Sequence, residues 1–227
     1  MADYISPDFE SRELAISSAI SQLKRHGINI SLPEQLQKKI QAHTLFDGDD
    51  GLFKDIIKNT DTYFEYGCGK STEFVCKYTN ASIYAVDTSR DWVNSLQGLV
   101  STSAPGRVNL NWVDVGEVAD WGYPKSFERR ENFKVYAELM WLSKISPDLV
   151  LIDGRFRVFC FLTSIKCAPV GTKILFDDYM NRPFYHVVEE FCERIDACGR
   201  QALFEVSKSA KSNVTDEILS TFQNVIS

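Results

Sequence analysis

Five short apolar runs, separated by stretches with helical character, constrain the fold of this chain more than any other feature of its sequence. Strands that alternate with helices need crossover connections, so the pattern predicts an α/β fold: a mostly parallel central sheet with helices on both faces, in three layers. A sixth run, 202–206, is predicted as an edge strand, and the chain from Asp216 onward is compatible with helix or strand. The five main predicted strands are residues 62–66, 82–87, 108–114, 148–153 and 172–177.

The first 60 residues have a different pattern from the rest. Apolar residues at helical spacing predict amphipathic helices over 8–26 and 33–43, and a Gly/Asp-rich turn at 47–51 precedes a short helical piece at 52–58. The length of 227 residues suits one main core. We therefore predict an N-terminal helical extension, residues 1–60, packed on a single Rossmann-like domain, residues 61–227.

Composition narrows the possible partners and the compartment. The net charge is -6 and no long run of Lys and Arg occurs, which argues against a nucleic-acid partner. The acidic N-terminus and the lack of a run of about 18 apolar residues argue against a secretory signal and a membrane span. The six cysteines form no CxxC pair, so free thiols and a cytoplasmic location are expected.

Aspartates end four of the five predicted strands. The carboxyl ends of parallel strands meet at one edge of an open α/β sheet, where the ligand crevice lies. The long segment 116–143 follows the third strand and is predicted to hang over this crevice as a lid; the alternative is that its aromatic side chains belong to the core. The four aspartates at strand ends are Asp87, Asp114, Asp153 and Asp177.

A glycine-rich turn, Glu-Tyr-Gly-Cys-Gly-Lys-Ser-Thr at 65–72, leaves the first predicted strand and opens a helix. Its glycines allow a sharp turn and a close approach to a ligand. A nucleoside-triphosphate loop would need a glycine where Phe64 stands, so we exclude that class. A dinucleotide fingerprint would need a glycine at Thr72, which weakens the case for an NAD(P)-dependent oxidoreductase but leaves it as an alternative.

The same turn resembles the first motif of class I S-adenosylmethionine-dependent methyltransferases, and the resemblance extends over residues 62–178. It implies S-adenosylmethionine as the cofactor, with Asp87 binding the ribose hydroxyls and Asp114 contacting the adenine amino group. Residues 148–157 and 176–185 also resemble a group of uncharacterised methyltransferase-like proteins with an Asp-Gly-Arg-Phe-Arg signature. The cofactor-binding residues implied by the resemblance are Glu65, Gly67, Gly69, Ser71, Thr72, Asp87 and Asp114.

Methyl transfer requires alignment of donor and acceptor, and removal or tolerance of one acceptor proton. We expect the groups that do this after the fourth and fifth strands, and we predict Asp153, Asp178 and His186 as catalytic. Asp153, Asp177 and Asp178 also resemble the acids that hold a divalent metal in catechol-type O-methyltransferases, which would suit Mg²⁺. The alternatives are that these aspartates cap helices and that His186 is structural.

Three arginines close to these acids indicate what the acceptor carries. Arg155, Arg157 and Arg182, with Tyr185, are predicted to bind an acceptor that bears a carboxylate or phosphate, such as an acidic sugar or a small organic acid. The alternative is that the arginines pair with the surrounding aspartates. The predicted function is O-directed methylation of a small-molecule or saccharide-like acceptor; a non-catalytic binding protein that kept the fold remains an alternative.

Overall fold

The computed structural model describes residues 50–227, residues 45–46 and a few positions before them: 20, 23, 27, 28, 30 and 33–35. The predicted helices at 8–26 and 33–43 therefore lie largely outside the described residues, as does most of the turn at 47–51. No helix in the described part of the chain is long and apolar enough to cross a membrane. All six cysteines are described and none of them forms a disulfide, as predicted.

A seven-stranded sheet forms the centre of the described structure, with strand order β3-β2-β1-β4-β5-β7-β6. Strands β1 to β5 are parallel, and β7 runs antiparallel to both β5 and β6. The predicted α/β fold with a mostly parallel sheet is confirmed. The strands are β1 Thr62–Tyr66, β2 Ser82–Asp87, β3 Val108–Trp112, β4 Leu149–Ile152, β5 Lys173–Phe176, β6 Arg194–Cys198 and β7 Gln201–Glu205.

Helices connect the parallel strands and cover both faces of the sheet. Their starts follow ordinary capping chemistry: the Ser89 hydroxyl accepts from Trp92 N at the start of α3, and the Thr215 hydroxyl accepts from Ile218 N at the start of α7. The end of the chain is thus helical. The helices are α1 Gly51–Ile57, α2 Lys70–Tyr78, α3 Arg90–Ser103, α4 Glu131–Glu138, α5 Arg157–Cys167, α6 Lys208–Asn213 and α7 Asp216–Phe222, with 3₁₀ segments at Asp120–Gly122, Leu139–Ser143 and Pro183–Glu190.

Two apolar cores lie on opposite faces of the sheet. Successive strand residues point to opposite faces, so Phe64 belongs to one core and Tyr63 to the other, and both are fully buried. Helix α1 packs into the second core through Phe53 and Ile57. Burial of both faces explains why the strands appear in the sequence as nearly continuous apolar runs.

The sequence prediction was wrong at the far edge of the sheet. The run at 202–206 forms β7, which is an interior strand, because β6 pairs with its outer side. Strand β6 was not predicted, since Arg194–Cys198 has no apolar run and three of its central residues are half-buried or exposed. In segment 116–143 the helical part belongs to the core, as the alternative held: Phe133 and Tyr136 are fully buried.

Candidate functional site

The turn after β1 is packed directly on the turn after β4. Gly67 has a positive φ of 88°, and a Cβ added to it would lie 2.5 Å from the Cα of Gly154. Gly154 is equally enclosed, because its own added Cβ would lie 2.2 Å from the hydroxyl oxygen of Tyr136. A side chain at Gly67 or Gly154 would push the two turns apart. Both glycines line a cleft at the carboxyl ends of the strands.

Glu65 holds this turn in place from below. Its carboxylate is fully buried and accepts hydrogen bonds from the hydroxyls of Ser71 and Thr72, the latter at 2.6 Å. Thr72 in turn accepts from Gly69 N at 2.9 Å. Burial raises the pKa of Glu65 to about 7, against the opposing effect of the hydroxyl donors. Glu65 and Thr72 therefore shape the turn from inside, whereas Gly69 and Ser71 line the cleft.

Asp87 joins the end of β2 to the glycine turn. Its Oδ2 accepts from Cys68 N at 3.0 Å and its Oδ1 from Ser89 N at 2.6 Å. Burial raises the pKa of Asp87 to about 6, while the two backbone donors and the charge of Arg155 lower it. Each carboxylate oxygen retains a further lone pair, and Asp87 lines the cleft. The carboxylate thus stands beside the glycine turn, as the sequence predicted.

The cleft has a volume of about 750 Å³, within the range of small-molecule sites. Its lining combines the glycine turn, Asp87 and several aromatic side chains with a group of arginines and aspartates. The described residues that line it are Leu45, Phe46, Gly67, Cys68, Gly69, Lys70, Ser71, Asp87, Trp92, Asp120, Trp121, Tyr123, Asp153, Gly154, Arg155, Arg157, Asp178, Arg182 and Arg200.

A short loop after β3 packs against Thr88, next to Asp87, and contributes to the lining of the cleft. The hydroxyl of Thr88 donates to Gly122 O at 2.7 Å, and Val118 forms a bridge with Pro124. Trp121 has a positive φ of 61° and is 80% exposed, which places a strained aromatic residue at the rim. A lid was predicted in this segment from the sequence, but Asp120 and Trp121 were not predicted as cleft residues.

Asp114, which was predicted to contact the adenine amino group, is not among the described residues that line the cleft. Strand β3 ends at Trp112, so Asp114 lies in the following loop. Its Oδ1 accepts from Gly116 N at 3.0 Å and its Oδ2 lies 3.2 Å from a guanidinium nitrogen of Arg129. The Asp114 carboxylate therefore binds Gly116 N and Arg129, and Asp120 is the acid of this loop that lines the cleft.

The three acids predicted to hold a metal do come together. Oxygens of Asp153, Asp177 and Asp178 lie within 4.8 Å of one another. Arg157 is buried between them, with Nη2 3.1 Å from Asp153 Oδ1 and Nη1 3.0 Å from Asp178 Oδ2. Its remaining donors reach the backbone carbonyls of Gly154, Asp177 and Asp153 at 2.8 to 2.9 Å.

Two further arginines complete the network around these acids. Arg182 Nη2 lies 2.9 Å from Asp178 Oδ2, and Arg200 contacts Asp177 at 2.6 Å and Asp178 at 3.2 Å. Three guanidinium charges thus oppose three carboxylates, so the site does not fit Mg²⁺: a cation would have to displace or face the arginines. Arg157 and Arg182 pair with aspartates, which is the alternative that the sequence left open for them. Arg200 was not predicted as a site residue.

Tyr185 and His186, which were predicted to bind substrate and to act in catalysis, are not among the described residues that line the cleft. Tyr185 is fully buried in the core, with the guanidinium of Arg157 5.8 Å from its ring centre. His186 stacks on the ring of Tyr179 at 4.7 Å, and its Nε2 lies 3.1 Å from the backbone oxygen of Tyr179. The 3₁₀ segment Pro183–Glu190 carries both residues against the core, which the sequence pattern did not reveal.

Known structures resemble the fold of this chain. A methyltransferase-like protein from Silicibacter pomeroyi matches 87% of this chain and 98% of its own, with a TM-score of 0.67 and 25% sequence identity. The chain has the fold of a Rossmann-like methyltransferase. An O-methyltransferase from Bacillus cereus, in complex with SAH, matches 86% of this chain and 100% of its own at a TM-score of 0.48 and 12% identity. No model of a known protein family matches the sequence, and no curated protein does.

Proposed function

We propose that this protein is an S-adenosylmethionine-dependent methyltransferase. The observation that carries the proposal is the contact between the Asp87 carboxylate and the glycine turn, 3.0 Å from Cys68 N, inside a cleft of about 750 Å³. A buried carboxylate beside a sharp turn suits a ligand that presents paired hydroxyls, as a ribose does. The similarity to the Silicibacter pomeroyi methyltransferase-like protein supports the same class.

The residues around the cleft fit this cofactor. Gly69 lines the cleft, and a Cβ added there would meet no protein atom within 4 Å, so the backbone is open to a ligand. Asp87 binds the ribose hydroxyls in this proposal, and Trp121 covers the nucleoside from the loop after β3. When bound, S-adenosylmethionine supplies a methyl group on a positively charged sulfur.

The acceptor is proposed to be a hydroxyl on a small or saccharide-like molecule with an anionic group. The arginines and aspartates that line the cleft support a polar acceptor. Asp153 is the proposed proton acceptor, because burial and the charges of Asp177 and Asp178 raise its pKa. Asp178 contacts Arg157, Arg182 and Arg200, and it positions this network. His186 and Mg²⁺ take no part in this proposal.

The experiment that tests the proposal compares two cofactor classes. Calorimetry with S-adenosylhomocysteine should give saturable binding, and NAD should give none. Binding of NAD alone would favour the rival oxidoreductase. Transfer of a labelled methyl group should then be measured over a panel of sugar acids, hydroxy acids and phenols. Cofactor binding with no transfer to any of them would support a binding protein that kept the fold.

A further inference from the structure

One of the four arginines that line the cleft forms no ion pair in the described part of the chain. The other three contact the aspartates Asp153, Asp177 and Asp178. These three acids balance three arginines. The paired arginines are Arg157, Arg182 and Arg200, and the fourth is Arg155.

Arg155 has no ion pair within the described part of the chain. Its side chain is partly buried, and its Nε is fully buried without any hydrogen-bond partner. The described hydrogen bonds of the residue are made by its backbone: Arg155 N donates to the Tyr136 hydroxyl at 3.4 Å, and Arg155 O accepts from Cys160 Sγ at 3.4 Å. A guanidinium stays charged at every physiological pH, so an unpaired one in a cleft carries a desolvation cost that a bound anion would offset.

No neighbouring carboxylate forms an ion pair with Arg155 in the described part of the chain. Arg157, two residues along, contacts Asp153 and Asp178, and burial together with the charge of Arg157 lowers the pKa of Arg155. The charge of Arg155 lowers the pKa of Asp87, but the hydrogen bonds described for the Asp87 oxygens come from Cys68 N and Ser89 N. A ligand that fills the cleft therefore meets a hydroxyl-binding carboxylate at one point and a free guanidinium at another.

We propose that Arg155 binds a carboxylate or phosphate group of the bound ligand. The two terminal Nη groups of its guanidinium suit both anions, since each anion can accept two parallel hydrogen bonds. Resting on the proposed function, the anion belongs either to the amino-acid part of the cofactor or to the acceptor. The two sources share one chemistry at Arg155, and ligands that lack one or the other distinguish them.

The test uses Arg155→Gln, with Arg129→Gln as the matched control, because Arg129 pairs with Asp114 away from the cleft. Calorimetry is carried out with S-adenosylhomocysteine, with 5′-methylthioadenosine, which lacks the amino-acid part, and with inorganic phosphate in the absence and presence of saturating S-adenosylhomocysteine. Melting temperatures of the free proteins are measured in parallel. Because Arg155 has no described counter-ion, Arg155→Gln should keep or raise the melting temperature.

A cofactor carboxylate at Arg155 predicts that the variant loses at least about tenfold in affinity for S-adenosylhomocysteine and none for 5′-methylthioadenosine. An acceptor anion predicts that both nucleosides bind unchanged while phosphate binds the wild type and Arg129→Gln about tenfold more tightly than Arg155→Gln. Equal behaviour of all three proteins towards all three ligands would overturn the proposal. So would a parallel loss for both nucleosides, or a lower melting temperature of Arg155→Gln.

Failure of the proposed function gives a different result. If S-adenosylhomocysteine binds none of the three proteins, the methyltransferase proposal fails, and phosphate alone still decides the role of Arg155. If the nucleoside binds all three equally and phosphate does not discriminate between them, the methyltransferase proposal stands and the Arg155 proposal fails.

Discussion

Replacement of Asp87 by Asn removes the charge but keeps the shape of the side chain that the proposed site depends on. Two ribose hydroxyls would donate to a carboxylate whose oxygens already accept from Cys68 N and Ser89 N. A hydrogen bond to a charged group contributes about 1.5 to 3 kcal/mol, so Asp87→Asn should weaken binding of S-adenosylhomocysteine by about tenfold or more at pH 7.5. Isothermal calorimetry measures this directly.

The pH dependence gives a sharper form of the same prediction. Burial raises the pKa of Asp87 to about 6, so about one-tenth of the free protein carries the carboxylate at pH 5. The ligand binds the ionised form, and protons compete with it. Wild-type affinity should therefore rise about tenfold between pH 5 and pH 7.5, whereas the affinity of Asp87→Asn should stay nearly constant.

Two controls separate this effect from others. Asp114→Asn changes an acid of the same type outside the cleft and should bind like the wild type. Glu65 has a pKa near 7 and titrates in the same range, so any dependence on pH that remains in Asp87→Asn reports on Glu65. A wild-type affinity that does not change with pH, or an equal loss in Asp114→Asn, would refute the reasoning.

Three other changes test the groups that build the site. The pKa of Glu65 rises from 4.5 to about 7 on folding, so its contribution to stability is fully present below pH 4.5 and is lost as the pH rises through 7. In urea denaturation, the free energy of unfolding of Glu65→Gln should therefore increase by about 3 kcal/mol relative to that of the wild type between pH 4.5 and pH 8. A difference that stays constant with pH would contradict this. Gly67→Ala should lower the melting temperature clearly, because its Cβ would lie 2.5 Å from Gly154, whereas Gly69→Ala should leave it unchanged; equal melting temperatures would remove the packing argument. In urea denaturation, Arg157→Gln should lower the free energy of unfolding by about 3 kcal/mol. EDTA or Mg²⁺ should leave the melting temperature of the wild type unchanged, and stabilisation by Mg²⁺ would show that Asp153, Asp177 and Asp178 bind the metal.

The central strands of the sheet could be predicted because they are buried on both faces. Thr62–Tyr66 and Ser82–Asp87 appear in the sequence as short apolar runs bounded by turns, and the structure gives the same limits. Strand β6 escaped prediction because half of it faces solvent and its residues are mixed. Burial on one face leaves a weaker pattern in a strand of five residues.

The site could be predicted most directly where an acid stands at the end of a strand. Asp87 and Asp153 come at the ends of β2 and β4, so the topology alone brings them to the ligand edge. Asp114 lies two residues beyond β3, and the loop turns it towards Arg129. Arg200 reaches the acids from the hairpin between β6 and β7, a connection that required the missed strand. The positions of Asp114 and Arg200 depend on contacts with residues distant in the sequence, which no local sequence pattern predicts.

The most direct test of the central claim is a crystal structure of the protein with S-adenosylhomocysteine. The account predicts both ribose hydroxyl oxygens within about 3 Å of the Asp87 carboxylate, as hydrogen bonds require, and the nucleoside beside Gly67 and Gly69. A nucleoside bound at another surface, or in this cleft with its ribose turned away from Asp87, would contradict the account.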